Sequence, residues 1–203
     1  MNRAARRRRP AARAAAACAV AAACAAAILA RGDGEAVPFA VRIRVEQDRD
    51  TRSEPGLFAG RQQTERVSFR AEVYNGTPGQ AVKDIRIRLY VVGTDWLLLE
   101  GRRVNRIQHI LNPEAIALAP GERMKVVDLG TTEFIHVFTR DREEGEEELG
   151  GRYKGYVARI LWGDRPVGSI LHGGPSVAEA VALHEAVERR RAKAAAEPAP
   201  PER

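Results

Sequence analysis

The stretch that decides the fold is residues 67–91, VSFRAEVYNGTPGQAVKDIRIRLYV. Val67, Phe69, Ala71 and Val73 are apolar, and Ser68, Arg70 and Glu72 between them are polar. Successive side chains of a strand point to opposite faces, so this period of two marks a strand with one buried and one wet face. Asn75-Gly76-Thr77-Pro78-Gly79 interrupts it with turn chemistry, because Gly and Asn tolerate positive φ and Pro presets its own. Ile85, Ile87, Leu89 and Val91 then resume the alternation, interleaved with Arg86, Arg88 and Tyr90. Two amphipathic strands about a turn predict an antiparallel sheet with one face on a core.

The pattern extends in both directions. Upstream, Ala40–Gln47 sets Val41, Ile43 and Val45 against Arg42, Arg44 and Glu46, a third such strand. Residues 48–64, polar and containing Pro55 and two glycines, predict a long loop. Downstream, Trp96–Glu100, Arg106–Leu111, Met124–Leu129 and Glu133–Thr139 are shorter strand candidates, with a loop from Asn112 to Pro120. Residues 140–152, RDREEGEEELGGR, predict a solvated, mobile loop. Tyr153–Trp162 and Val167–Leu171 form a hairpin about Gly163-Asp164-Arg165-Pro166.

No stretch between Phe39 and Leu171 carries a 3.6-residue period, and a parallel sheet needs helical crossovers. Seven or eight short strands therefore predict an all-β fold, an antiparallel β-sandwich over residues 39–172. Ser176 with Glu179 matches a capping box. It starts a C-terminal helix over 176–196 whose stripe is Val177, Ala180, Val181, His184 and Val187. Pro198, Pro200 and Pro201 end it and leave 197–203 as a disordered tail.

The Tyr74-Asn75-Gly76 corner between two core strands is followed some thirty residues later by Leu118-Ala119-Pro120-Gly121-Glu122. With the 153–171 hairpin as the last two strands, this resembles the bacterial immunoglobulin-like domains of the cell-adhesion-related and fibronectin type III-like kind. In those, an N-x-G corner separates two core strands and an L-x-P-G step enters a later one. The resemblance spans residues 39–171 and implies an immunoglobulin-like sandwich. It carries over no binding or catalytic residue, because such folds host many functions.

Residues 1–30 are of another kind. Arg3, Arg6, Arg7, Arg8, Arg9 and Arg13 make a cationic head, and residues 14–30, AAAACAVAAACAAAILA, follow without a charge. A basic head before an apolar run is the pattern of a signal peptide or membrane anchor, with residues 31–38 as a linker to the domain. Cleavage after Ala27 or Ala36, retention as a short span, and lipidation at Cys24 are its alternative fates. Cys24 follows Ala21-Ala22-Ala23 without the leucine of a lipobox, and Cys18 is placed worse. A cytosolic arm touching nucleic acid is the remaining reading.

Against nucleic acid stands the charge balance. The chain is formally +6, but this segment holds six of its 33 basic residues and none of its 27 acidic ones. Residues 31–203 carry 27 of each sign and are neutral. Both cysteines also lie in the leader, so the domain has neither an internal disulfide nor a thiol nucleophile. A domain of about 140 residues buries enough surface without one.

Candidate chemistry is sparse. The four histidines, His109, His136, His172 and His184, lack the close spacing of zinc ligands. No serine sits in a G-x-S-x-G elbow, and no glycine-rich phosphate loop is present. Glu46, Asp48, Asp50 and Glu54 could converge on calcium, but Arg49 and Arg52 interleave them and offset their field. Asn75-Gly76-Thr77 matches a glycosylation sequon that coincides with the turn.

These features predict no catalytic residue, no cofactor and no metal. The expected protein is a non-enzymatic binding or scaffolding module of the bacterial cell envelope, periplasmic or extracellular, touching membrane only through its N-terminal segment. Its partner would be an envelope protein or a glycan. The expected contact surface is Trp96 with the basic cluster Arg102, Arg103 and Arg106, and the Arg42/Arg44 and Arg86/Arg88 strand faces and the helix are further surfaces. A carbohydrate-binding module is the alternative and needs Trp96, Trp162, Tyr153 and Tyr156 on one exposed face. An envelope hydrolase needs a pocket joining His109 or His136 to carboxylates.

Overall fold

A computed structural model describes residues 37–54, 60–97, 102–141 and 145–196. The expected leader with Cys24, most of the expected linker, and residues 197–203 lie outside the described residues, as do residues 55–59, 98–101 and 142–144. The described chain forms two antiparallel sheets facing each other across one core, a sandwich-like all-β architecture, with a C-terminal helix.

The first sheet has the order β1 (Phe39–Glu54), β2 (Gly60–Asn75), β6 (Met124–Asp141), β7 (Gly145–Gly150). In the second, β3 (Val82–Leu97) carries β4 (Arg102–Leu111) and the short β5 (Ile116–Leu118) along one side. On its other side run β8 (Arg152–Trp162) and β9 (Arg165–His172).

Alternation aims the core. Val67, Phe69, Ala71 and Val73 of β2 are wholly buried and meet Ile85, Ile87, Leu89 and Val91 of β3 in one cluster. Val41 and Ile43 of β1 join them opposite Val73 and Ala71. The intervening residues build a charged outer face. Arg44 lies across from Arg70, but each finds a carboxylate on the neighbouring strand: Arg44 pairs with Glu72, and Arg70 with Glu46 at 3.1 Å.

Several strands run further than the sequence pattern predicts. Across its described part the long polar stretch 48–64 is not a loop, because β1 and β2 stay in unbroken register out to Glu54 opposite Gly60. Backbone pairing needs no apolar side chains, and oppositely charged partners (Asp48 opposite Arg66, Arg49 opposite Glu65) sustain it. Nor is the 140–152 stretch a mobile loop across its described part. β7 pairs with β6 from His136–Gly150 to Asp141–Gly145, which sets its glutamates on an edge strand, where charge is well tolerated.

The two strands expected over 124–139 are one, β6, with a bulge. Phe69 pairs with Gly130 and Arg70 with Asp128, leaving Leu129 as the additional residue. One extra residue reverses parity, so Val127 and Leu129 face inward before the bulge and Phe134 and His136 after it.

The helix α1 (Pro175–Ala196) lies on the outer face of the second sheet. It begins one residue before Ser176, because Pro175 suits the first helical position: its φ is preset and it has no N–H to leave unpaired. Val177 and Val181 are buried on Tyr90, Val92 and Val157, with Ala180 and Ile107 alongside. Arg159 clamps Glu185 with two 2.9 Å hydrogen bonds, and the His184 ring meets Tyr90 edge-on. Past Glu185 the helix loosens from the sheet, and residues 187–196 are exposed.

Truncating Val181 to Ala removes two buried carbons from the helix–sheet contact. It is expected to lower the free energy of unfolding by about 1.5 kcal/mol, read as a shift of the urea midpoint with unchanged slope.

Candidate functional site

Where the apolar core of the first sheet runs out, its inner face continues in polar residues. Following the parity of Val67 and Phe69 toward the hairpin tip brings Glu65 and Gln63 inward on β2. Phe134 and His136 stand opposite them on β6, and Arg49 stands opposite Glu65 on β1. With Gly151 and Arg152 they enclose a cavity of about 120 Å³ at one end of the molecule.

Glu65 is 7% exposed and fully engaged. Its Oε1 accepts from both Nε and Nη2 of Arg49 at 3.0 Å, and its Oε2 accepts the backbone N–H of Tyr153 at 3.3 Å. The carboxylate therefore ties β2, β1 and β8 together across the two sheets. A charge this covered is tolerable only because it is paired and hydrogen-bonded.

His136 is 5% exposed. Its Nδ1 receives Nε of Arg152 at 3.4 Å, which makes it an acceptor and leaves the ring proton on Nε2. Burial, then the nearby charges of Arg152 and Arg103, hold its pKa below the ordinary histidine value, so the ring stays neutral. Beneath it, the Tyr153 ring lies 5.8 Å from Phe134 and 6.1 Å from Phe69. The Tyr153 hydroxyl and Thr132 Oγ1 are buried without hydrogen-bond partners.

Two glycines shape this end. At Gly93, a Cβ would stand 2.6 Å from the Phe134 ring, so glycine leaves room for that floor. Gly150 has φ +91°, and a Cβ there would lie 2.1 Å from the Ile135 carbonyl oxygen. That carbonyl accepts the N–H of Gly151 at 3.0 Å, closing the pocket wall.

The predicted contact surface lies at the β3–β4 hairpin of the second sheet. Backbone register sets Trp96 opposite Arg103, Leu97 opposite Arg102 and Gly93 opposite Arg106, so the four chosen residues share one strand end. For Trp96 and Arg102 only this register is described. Arg106 approaches Asp95 at 3.8 Å, and the charge of Arg103 acts on His136, which links this hairpin to the pocket.

The other expectations separate. Tyr156 is buried, edge-on to Phe69 and stacked on His172, and the Tyr153 ring packs on Phe69 and Phe134 within the core, whereas Trp162 is at the surface against Phe39. These tyrosines and Trp162 therefore do not share an exposed face. The strand arginines are not open cationic stripes either: Arg86 binds Asp84 and Asp164, and Arg88 donates to Asn112. Among the described residues no group of three or more His, Asp or Glu could hold a metal. Glu46, of the calcium set, is bound to Arg70.

The sequon asparagine is structural. Asn75 is 7% exposed, its Nδ2 donates to the Gln80 carbonyl, and its Oδ1 accepts the Thr77 N–H at 2.9 Å. Its amide nitrogen is thus occupied in the turn.

The pocket itself joins His136 to a carboxylate, a pairing that sequence spacing does not reveal. Gln63, Arg49 and Arg152 escape the sequence reading because residues 48–64 and 140–152 read as loops, and Glu65 because it falls between the first of these and the strand that starts at Val67. The available signal was parity, since Glu65 falls on the stripe of Val67, Phe69, Ala71 and Val73. The lining carries no serine, threonine, cysteine or lysine to act as a nucleophile. Comparison of the chain with models of known families, with curated proteins and with solved structures finds no match.

Glu65→Ala leaves the Tyr153 N–H and the Arg49 guanidinium without their acceptor. A loss of about 2 kcal/mol is expected in chemical denaturation. For His136 the folded pKa is depressed, so below about 6.5 the unfolded chain binds the extra proton and stability falls. The urea midpoint should drop between pH 7.5 and pH 5.5, and His136→Asn should shrink that drop.

Proposed function

We propose that this chain is a non-enzymatic binding or scaffolding module with an immunoglobulin-like sandwich, exported to the bacterial cell envelope. The observation that carries the non-enzymatic reading is the state of Glu65: both carboxylate oxygens are consumed by Arg49 and the Tyr153 backbone. The pocket that joins His136 to a carboxylate is thus occupied by bonds that brace the fold.

The strand order supports the immunoglobulin-like part. β1-β2-β6 in one sheet, and β3-β8-β9 in the other with β4 beside β3, follow the A-B-E and C-F-G arrangement of such sandwiches. Export rests on residues 1–30, an arginine head followed by an uncharged run. Among the described residues no helix is long and apolar enough to cross a membrane. The β3–β4 end, with Arg103 and Arg106, is the contact surface in this reading, facing an envelope protein or glycan.

Two measurements test it. Residues 1–38 fused to alkaline phosphatase, which is active only outside the cytoplasm, should give active enzyme, and deleting residues 14–30 should abolish that activity. A photo-crosslinking residue at position 103 or 106 should yield adducts in the native host that the same probe at position 70 does not. An inactive fusion sinks the envelope assignment, and equal adducts from all three positions sink the contact surface.

A further inference from the structure

β1 is the outermost strand of its sheet, with β2 on one side and no strand among the described residues on the other. It is sixteen residues long, holds no proline and pairs with β2 without a register shift. Long, regular edge strands invite pairing with another strand, and proteins blunt them with prolines, bulges or charges. β1 has charges alone, so their order decides what the edge admits.

Over residues 42–50 the order on the outer face is Arg42, Arg44, Glu46, Asp48, Asp50, two cations followed by three anions, with Arg52 and Glu54 next in the same parity. Such a series complements its own reverse. We propose that β1 pairs antiparallel with β1 of a second copy of this chain, centred on Val45, fusing the two four-stranded sheets into one. In that register Arg42 faces Asp48 of the second copy and Arg44 faces its Glu46, and the two-fold axis repeats both contacts.

The register is selective. Shifting by one pleat in one direction puts Arg44 against Arg44, and in the other direction Glu46 against Glu46. A shift by a single residue would set outer side chains against inner ones, which the buried face forbids. On the inner face Val45, only partly covered within one copy, meets the other Val45 at the axis. Ile43 falls opposite Gln47. Directly opposed strand positions lie close enough for these pairs to act. The inference is independent of the proposed function, since it concerns the β1 edge of the first sheet and the proposed contact surface lies on β3 and β4 of the second.

The test uses the full chain purified as the host yields it, in sedimentation velocity from 1 to 200 µM with circular dichroism as a fold check. A concentration-dependent dimer is expected. Arg44→Glu, which sets Glu against Glu46 twice, should weaken it roughly tenfold. The swap Arg44→Glu with Glu46→Arg should restore the homodimer yet refuse to mix with the unaltered chain. Because either variant disturbs the pairs with Glu72 and Arg70, hydrogen exchange on the unaltered chain supplies a second reading. Alternate amides of residues 41–49 should gain protection between 1 and 200 µM. A monomer throughout with no gain in protection, or a dimer indifferent to Arg44→Glu in a folded variant, would overturn the proposal.

Discussion

The burial of β2 between its neighbours and β3 is the constraint on which the rest of the molecule depends. Val67, Phe69, Ala71 and Val73 have no exposed surface, and they are matched by Ile85, Ile87, Leu89 and Val91 from the facing sheet. Once that face is committed inward, strand geometry commits Ser68, Arg70 and Glu72 to the other side and leaves no freedom to slip register. The outer ladder of arginines and carboxylates follows from the same parity. Its charges keep a broad sheet face soluble and, in the order found on β1, define which edge partner is admissible.

The polar end is the consequence of carrying that parity beyond the apolar residues. Glu65 and His136 occupy positions that would be core if they were valines, and each is accommodated by its own device. The Glu65 carboxylate accepts three hydrogen bonds. His136 loses its charge, because burial and two neighbouring arginines disfavour the protonated ring. The end of the molecule is thereby sealed with polar groups instead of apolar ones, and stability becomes sensitive to acid at one imidazole.

The helix uses a second, smaller apolar surface. Tyr90, Val92 and Val157 face away from the main core, and without α1 they would be a patch on the sheet. Val177 and Val181 cover them, and the Arg159–Glu185 clamp fixes the crossing. The stripe is short, so the first half of the helix is held and the second half projects. Leu183, in the held half but off the Val177–Val181 stripe, is 69% exposed.

How much of this could be read without coordinates depends on the physical range of each effect. Alternation within one strand is local, so the all-β class, the inward residues of β1, β2 and β3, the Asn75 turn and the terminal helix are legible in the order of residues alone. Strand ends are hidden wherever cross-strand charge sustains the pairing, because Arg49 and Glu65 lie sixteen residues apart and only register brings them together. The bulge at Leu129 was equally hidden, since two short apolar patterns of opposite parity look like two strands. The gathering of Glu65, His136, Arg49 and Arg152 in one pocket, the pairing of Arg44, Arg70 and Arg86 with carboxylates, and the bond from Arg88 to Asn112 appear only once the strands are assembled. Those relations arise from the distances between strands, which composition and periodicity do not encode.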